Sequence, residues 1–139
     1  MLDPSFVSRA RLPSQRFDEA AEALTQLLRS HQRIVGPPTL AIEFASTLRK
    51  LHSRGIILTS ERLAQWEAFS NLPIEFAWDL RWIDRAMAIA EAAGLSKIYD
   101  SIYLACAEAF GFELITCDAR FARAARPVTT AAIRLIEPR

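Results

Sequence analysis

Apolar and polar positions alternate along this chain in two periods, and the change between them marks out the elements. Apolar residues recur at Ala20, Ala23, Leu24, Leu27 and Leu28, which predicts a helix over Phe17–Ser30. A second stripe at Leu40, Phe44, Thr47, Leu48 and Leu51 predicts a helix from Pro38 to about Ser53, opened by a proline and stopped before Gly55. Further helices are expected at Ser60–Asn71, capped by Thr59 or Ser60, and at Asp79–Ala93, with Asp79 as N-cap and Gly94 as terminator. Another is expected at Ser96–Phe110, with Ser96 as N-cap. Between them lie short apolar runs that read as strands: Arg33–Gly36, Leu72–Phe76 and Phe112–Cys117. Val128–Ile136 reads as a weaker strand or tail, Met1–Val7 as only a stub of strand, and Arg9–Arg16 as a polar loop. A short Arg-rich turn follows Asp118. Strands alternating with helices imply an α/β fold with a parallel sheet of about four or five strands.

Composition narrows this picture. The 139 residues are 51% hydrophobic and 24% charged, which fits one soluble globular domain spanning 1–139. A formal net charge of +1 excludes a bulk polycation, so any nucleic acid must be held by local patches. Cys106 and Cys117 have no CxxC partner and no neighbouring His, which argues against zinc and fits a reducing cytoplasm. No leader pattern opens the chain, and no apolar run approaches the roughly 20 residues of a spanning helix. His31 and His52 read as surface residues, while Trp78 and Trp82, at helical spacing, read as packing residues beside a freer Trp66.

Four carboxylates stand out. Glu43 falls inside the apolar stripe of its helix, where an unpaired charge would cost several kcal/mol, so it needs a partner, a metal or an escape to water. Asp100 lies in the first turn of its helix, where an acid also suits the helix dipole. Asp118 ends an apolar strand, where Asp commonly starts a turn, and Asp3 sits close to the beginning of the chain. Taken singly, none is specific. A helix leading into a strand brings Asp100 and Asp118 to one end of the sheet, and clustered carboxylates repel unless a cation lies between them. Asp79 and Asp84 are acids of a plainer kind, near helix starts and surfaces. A signalling receiver domain would also gather acids at strand ends, but its paired acids after the first strand and its late lysine are not evident here.

In order, these segments resemble the PIN-domain family of metal-dependent ribonucleases, especially the toxins of VapBC-type toxin–antitoxin modules. The resemblance rests on Asp3-Pro4-Ser5-Phe6-Val7, on Pro37 through Phe44 with Glu43, and on Leu95 through Glu108 with Tyr99-Asp100. Leu114-Ile115-Thr116-Cys117-Asp118 completes it. Two departures are visible. Family members carry several apolar residues before the first Asp, where this sequence has Met1 and Leu2, and Ser46 stands where the family often has Asn.

The resemblance implies a PIN-like three-layer α/β/α sandwich with a central parallel sheet. It implies Asp3, Glu43, Asp100 and Asp118 as the catalytic acids, with Asp3, Asp100 and Asp118 as ligands of Mg²⁺ or Mn²⁺. Ser5 and Thr116 would orient carboxylates or water through their hydroxyls. The activity implied is endoribonuclease cleavage by water, leaving 5′-phosphate and 3′-hydroxyl ends. The implied partners are an RNA substrate, a cognate antitoxin and a second copy in a homodimer. A catalytically weak PIN-like binding module, or an RNA-processing nuclease that is not a toxin, is the alternative. Arg9, Arg11 and Arg16 follow the first acid, and Arg120, Arg123 and Arg126 follow the last. Both groups are candidates for an RNA-binding rim.

Overall fold

The computed structural model describes all 139 residues. Seven helices and four short strands follow one another: α1 Pro4–Arg11, α2 Asp18–Arg29, β1 Ile34–Gly36, α3 Thr39–Ser53, α4 Thr59–Ser70, β2 Ile74–Phe76, α5 Arg81–Ala92, α6 Tyr99–Phe110, β3 Leu114–Thr116, α7 Ala119–Ala125 and β4 Ile133–Leu135. All strand pairing is parallel, as the α/β reading requires; β1 and β3 are buried throughout, while their partners β2 and β4 are partly exposed.

The sheet differs from the continuous one expected. β1 pairs with β2, and β3 with β4, as two separate two-stranded ladders. The chain start joins only the second ladder, through a bridge between Leu2 and Ile115 in which the Ile115 amide donates to the Met1 carbonyl at 2.9 Å. Two residues cannot span both ladders. Side-chain packing rather than backbone hydrogen bonds joins the ladders, with Ile34 and Val35 in one core cluster with Met1, Leu114 and Ile115, although a hollow of about 420 Å³ remains beside Met1, Ile34, Phe112 and Ile115.

Several local expectations are also corrected. The strand stub of Met1–Val7 is confined to Leu2, and the loop of Arg9–Arg16 starts only after Arg11, because α1 occupies Pro4–Arg11. Asp3 is its N-cap, accepting a bond from the Phe6 amide at 2.9 Å, and Pro4 fills the first-turn position where a missing N–H does no harm. The Arg-rich turn is the helix α7, capped by Asp118 through the Phe121 amide at 2.8 Å. Helix α6 begins at Tyr99, so Ile98 rather than Ser96 is its N-cap. Helix α4 has Leu58 as N-cap instead of Thr59 or Ser60; the Glu61 carboxylate reaches back to the Leu58 amide at 2.7 Å. Asp79 stands one residue before the N-cap Leu80 and accepts from the Arg81 amide at 2.9 Å.

Helix α6 is the centre of the core. Every residue from Ser101 to Ala107 is buried, and Gly111 ends the helix at φ 65°, a left-handed conformation that glycine adopts without strain. The stripe of α3 buries Leu40, Phe44, Leu48 and Leu51 toward α1 and α4, with Phe44 stacked on Phe69, and Leu40 comes close to Gly36 of β1. Gly36 allows that approach: a Cβ there would lie 3.0 Å from Leu40 Cδ2 and 3.7 Å from Ile74 Cγ2. The tryptophans pack as expected, Trp82 against Trp78 and Phe110, while Trp66 stacks on Phe69. No helix is long and apolar enough to cross a membrane.

Candidate active site

Parallel strands deliver their C-terminal ends to one edge, and three of the four acids arrive there on the backbone itself. Asp3 follows the Leu2 bridge, Asp118 follows β3, and Glu43 projects from the helix that β1 feeds. Asp100 enters from the first turn of α6.

Asp3 is buried and fully engaged. One carboxylate oxygen accepts from the Ser5 hydroxyl at 2.7 Å and the Phe6 amide at 2.9 Å; the other accepts from the Thr116 hydroxyl at 2.6 Å. Ser5 in turn accepts from the Cys117 amide at 3.0 Å, and Thr116 from the Asp118 amide at 3.0 Å. The two hydroxyl oxygens lie 3.2 Å apart. Both hydroxyls thus point their protons at Asp3 while their oxygens fix the backbone leading into Asp118. Burial pushes the Asp3 carboxyl up to about 6; the three hydrogen bonds oppose that rise, and the charge of Asp100 adds to it.

Glu43 is half-buried and finds a partner. The Tyr103 hydroxyl donates to it at 2.8 Å, and the Thr39 hydroxyl donates to Tyr103 at 3.4 Å. Burial raises the Glu43 carboxyl above its ordinary range, Tyr103 opposes, and Asp100 again raises it. Tyr103, raised mainly by its own burial, is a site neighbour that the sequence reading did not single out. Its signal was present: it lies three residues after Asp100, on the same helical face.

Asp100 is different. It is exposed by accessible surface, and neither a hydrogen bond nor a cation contributes to its titration. Partial desolvation first, and the charge of Asp118 second, lift its carboxyl. Asp100 is therefore the acid through which the cluster is electrostatically joined, acting on Asp3 and Glu43 and acted on by Asp118. No Lys or Arg relieves the repulsion at Asp3, Glu43 or Asp100.

The donor set consists of carboxylate and hydroxyl oxygens, the chemistry that hard divalent cations prefer. No three His, Cys, Asp or Glu side chains already converge at ligating distance. No hydrogen bond holds the Asp100 carboxylate, so its side chain is free to turn toward a cation. Cys117, beside Asp3, has its thiol pushed up to about 12, by burial first and by Asp3 second, which makes it a poor thiolate ligand.

The basic residues divide. Arg9 is exposed and donates to the Gln15 carbonyl at 3.3 Å. Arg11 is half-buried with its Nε enclosed and unpartnered, while Arg16 is exposed. Arg120 and Arg123 stand exposed on α7, the helix that Asp118 caps, and Arg126 follows as its C-cap. His31 is exposed, and His52 lies 3.0 Å from the Thr59 hydroxyl, away from the acids.

Residues 1–127 match the PIN domain family. The chain is also 28% identical over 126 residues to "Ribonuclease VapC3" of Pyrobaculum aerophilum, a match covering 88% of this chain and 91% of that protein. With a family match across nearly the whole length, the chain belongs to the PIN domain family.

Proposed function

We propose that this protein is a metal-dependent endoribonuclease acting as the toxin of a type II toxin–antitoxin pair. The observation that carries the reading is Asp100: an accessible, unpartnered acid, with no cation to relieve the repulsion it shares with Asp3, Glu43 and Asp118. Asp3, Asp100 and Asp118 would hold Mg²⁺ or Mn²⁺, which supplies charge neutralisation on the phosphate and an activated water. Asp3, locked by Ser5 and Thr116, sets the fixed corner of the site, while Asp100 supplies the adjustable one. Glu43, oriented by the Tyr103 hydroxyl, would serve as a ligand or as the positioner of the attacking water. Attack by water leaves 5′-phosphate and 3′-hydroxyl ends. Arg9, Arg120 and Arg123 flank the acids as candidates for holding the RNA backbone. A toxin role, a cognate antitoxin partner, a cytoplasmic setting and a homodimer complete the proposal; likeness to a protein named a VapC ribonuclease supports its nuclease part.

The test is cleavage of a labelled single-stranded RNA. Cleavage should require Mg²⁺ or Mn²⁺, stop with EDTA and fall by more than about 100-fold in Asp100→Asn, since even groups that merely support a metal ligand are worth roughly 10–100-fold. Metal-independent cleavage, or cyclic phosphate ends, would refute the mechanism.

A further inference from the structure

Helix α3 carries a second stripe beside its buried one. Glu43, Thr47, Lys50 and Arg54 fall at intervals of four, three and four residues, so they share one face, starting at a candidate catalytic acid. Lys50 lies about 10 Å and Arg54 about 16 Å further along the helix axis than Glu43, at 1.5 Å per residue. That face borders a hollow of about 340 Å³ between α1 and α3, lined by Ser5, Ser8, Arg9, Thr47, Lys50 and Arg54 among others. No carboxylate lines it. Arg9, Lys50 and Arg54 are all exposed, and none takes part in the protein's ion pairs, which join Arg33, Arg81, Arg85 and Arg139 to their acids. A comparable hollow along α2 behaves as ordinary surface, with Arg16 and Arg29 balanced by Asp18 and Glu22.

Ser5 belongs to both places. Its side chain donates to Asp3, and the residue forms part of the hollow's wall. The hollow therefore opens directly beside the acid cluster, with three unneutralised cations leading away from it.

We infer that this hollow is a phosphate-backbone subsite for the RNA strand, a few nucleotides from the scissile bond, with Lys50 and Arg54 as its binding residues alongside Arg9. The inference rests on the nuclease reading. Phosphate contacts act through charge and are indifferent to base, so the subsite adds affinity and register without sequence preference.

Fluorescence anisotropy of a labelled single-stranded RNA, titrated across salt concentrations with Mg²⁺ present, tests it in the Asp100→Asn background, where the RNA stays intact. Lys50→Ala/Arg54→Ala should flatten the salt dependence by about 1.4, at roughly 0.7 per phosphate contact on a single strand, and weaken binding about tenfold at 0.1 M salt. Lys50→Arg/Arg54→Lys should retain the slope. Arg29→Ala/Arg33→Ala, which removes the same charge near the start of β1, should leave it unchanged. Both residues of the tested pair are exposed, so thermal melts should match the parent. A wild-type slope in the Ala pair, with wild-type protein still cutting RNA, overturns the subsite and leaves the nuclease intact. If wild-type protein neither binds nor cuts RNA, both readings fall. If the Ala pair loses affinity for oligoglutamate while its RNA slope is unchanged, the hollow takes an acidic peptide instead.

Discussion

Asp3 and Asp100 are the same side chain put to opposite structural use. Asp3 is buried, caps α1 and accepts three hydrogen bonds from two elements far apart in sequence. Asp100 is exposed and accepts none. Both carboxyls are raised, Asp3 by burial against its hydrogen bonds and Asp100 by partial desolvation together with Asp118. The contrast teaches that one cluster of acids can contain a structural keystone and a free ligand. Stability measurements separate them even though both belong to one candidate site.

The largest separation should come from truncation near pH 5, where Asp3 is mostly protonated and loss of its charge confers little relief. Asp3→Ala removes a cap worth about 1 kcal/mol and strands the Ser5 and Thr116 hydroxyls, for a total of about 2–4 kcal/mol. Asp100→Ala should change stability by no more than about 0.5 kcal/mol, as for an exposed position. Urea unfolding without added metal measures both, and equal losses would break the comparison.

The pH profile sharpens it next. A carboxyl raised in the folded state adds stability that is complete below its unfolded value and is lost as pH rises through its folded value. For Asp3 that window runs from 3.8 to about 6, and at roughly 1.4 kcal/mol per pH unit it amounts to about 3 kcal/mol. Glu43 and Asp100 act in the same direction. Glu108 acts oppositely. Burial would raise it, but Arg85, Thr129 and the Thr130 amide hold it at about 2, so its contribution is lost in acid. Metal-free protein should therefore be more stable near pH 5 than at pH 7. Asp3→Asn should flatten that rise, whereas Asp100→Asn should leave most of it in thermal melts across the range.

The smallest effect compares two hydroxyls. Thr116 donates to Asp3, whereas the hydroxyl of Ser101, next to Asp100, is buried without a partner. Ser101→Ala should stabilise by about 1 kcal/mol, by removing an unsatisfied group and improving helix propensity, while Thr116→Ala should destabilise by about 1–2 kcal/mol. A loss at Ser101 as large as that at Thr116 would show that the two neighbourhoods are alike after all.

Much of the molecule was legible in its residues because period and order carry the information. The stripe on α3, the apolar β3 and the four acids in sequence led directly to a parallel α/β fold and to the PIN family. Helix starts were harder. Asp3-Pro4 is a cap-and-proline opening, but Phe6 and Val7 read equally well as strand, and only the burial of α1 decides between them. The stretch after Asp118 reads as a short Arg-rich turn, whereas its alanines propagate α7 with Asp118 as the cap. The split sheet, the Glu43–Tyr103 bond and the enclosure of Arg11 depend on packing between distant segments, which no local pattern encodes.

The tying of Asp3 into the start of α1 also bears on how such a protein would decay. A lineage released from the need to cut RNA, yet still required to fold, can shed Asp100 without structural penalty. It cannot shed Asp3 so freely, because the cap and both hydroxyl tethers go with it. Inactive descendants should therefore keep their first aspartate long after the third has drifted, and a surviving Asp3 is by itself a poor sign of a working nuclease.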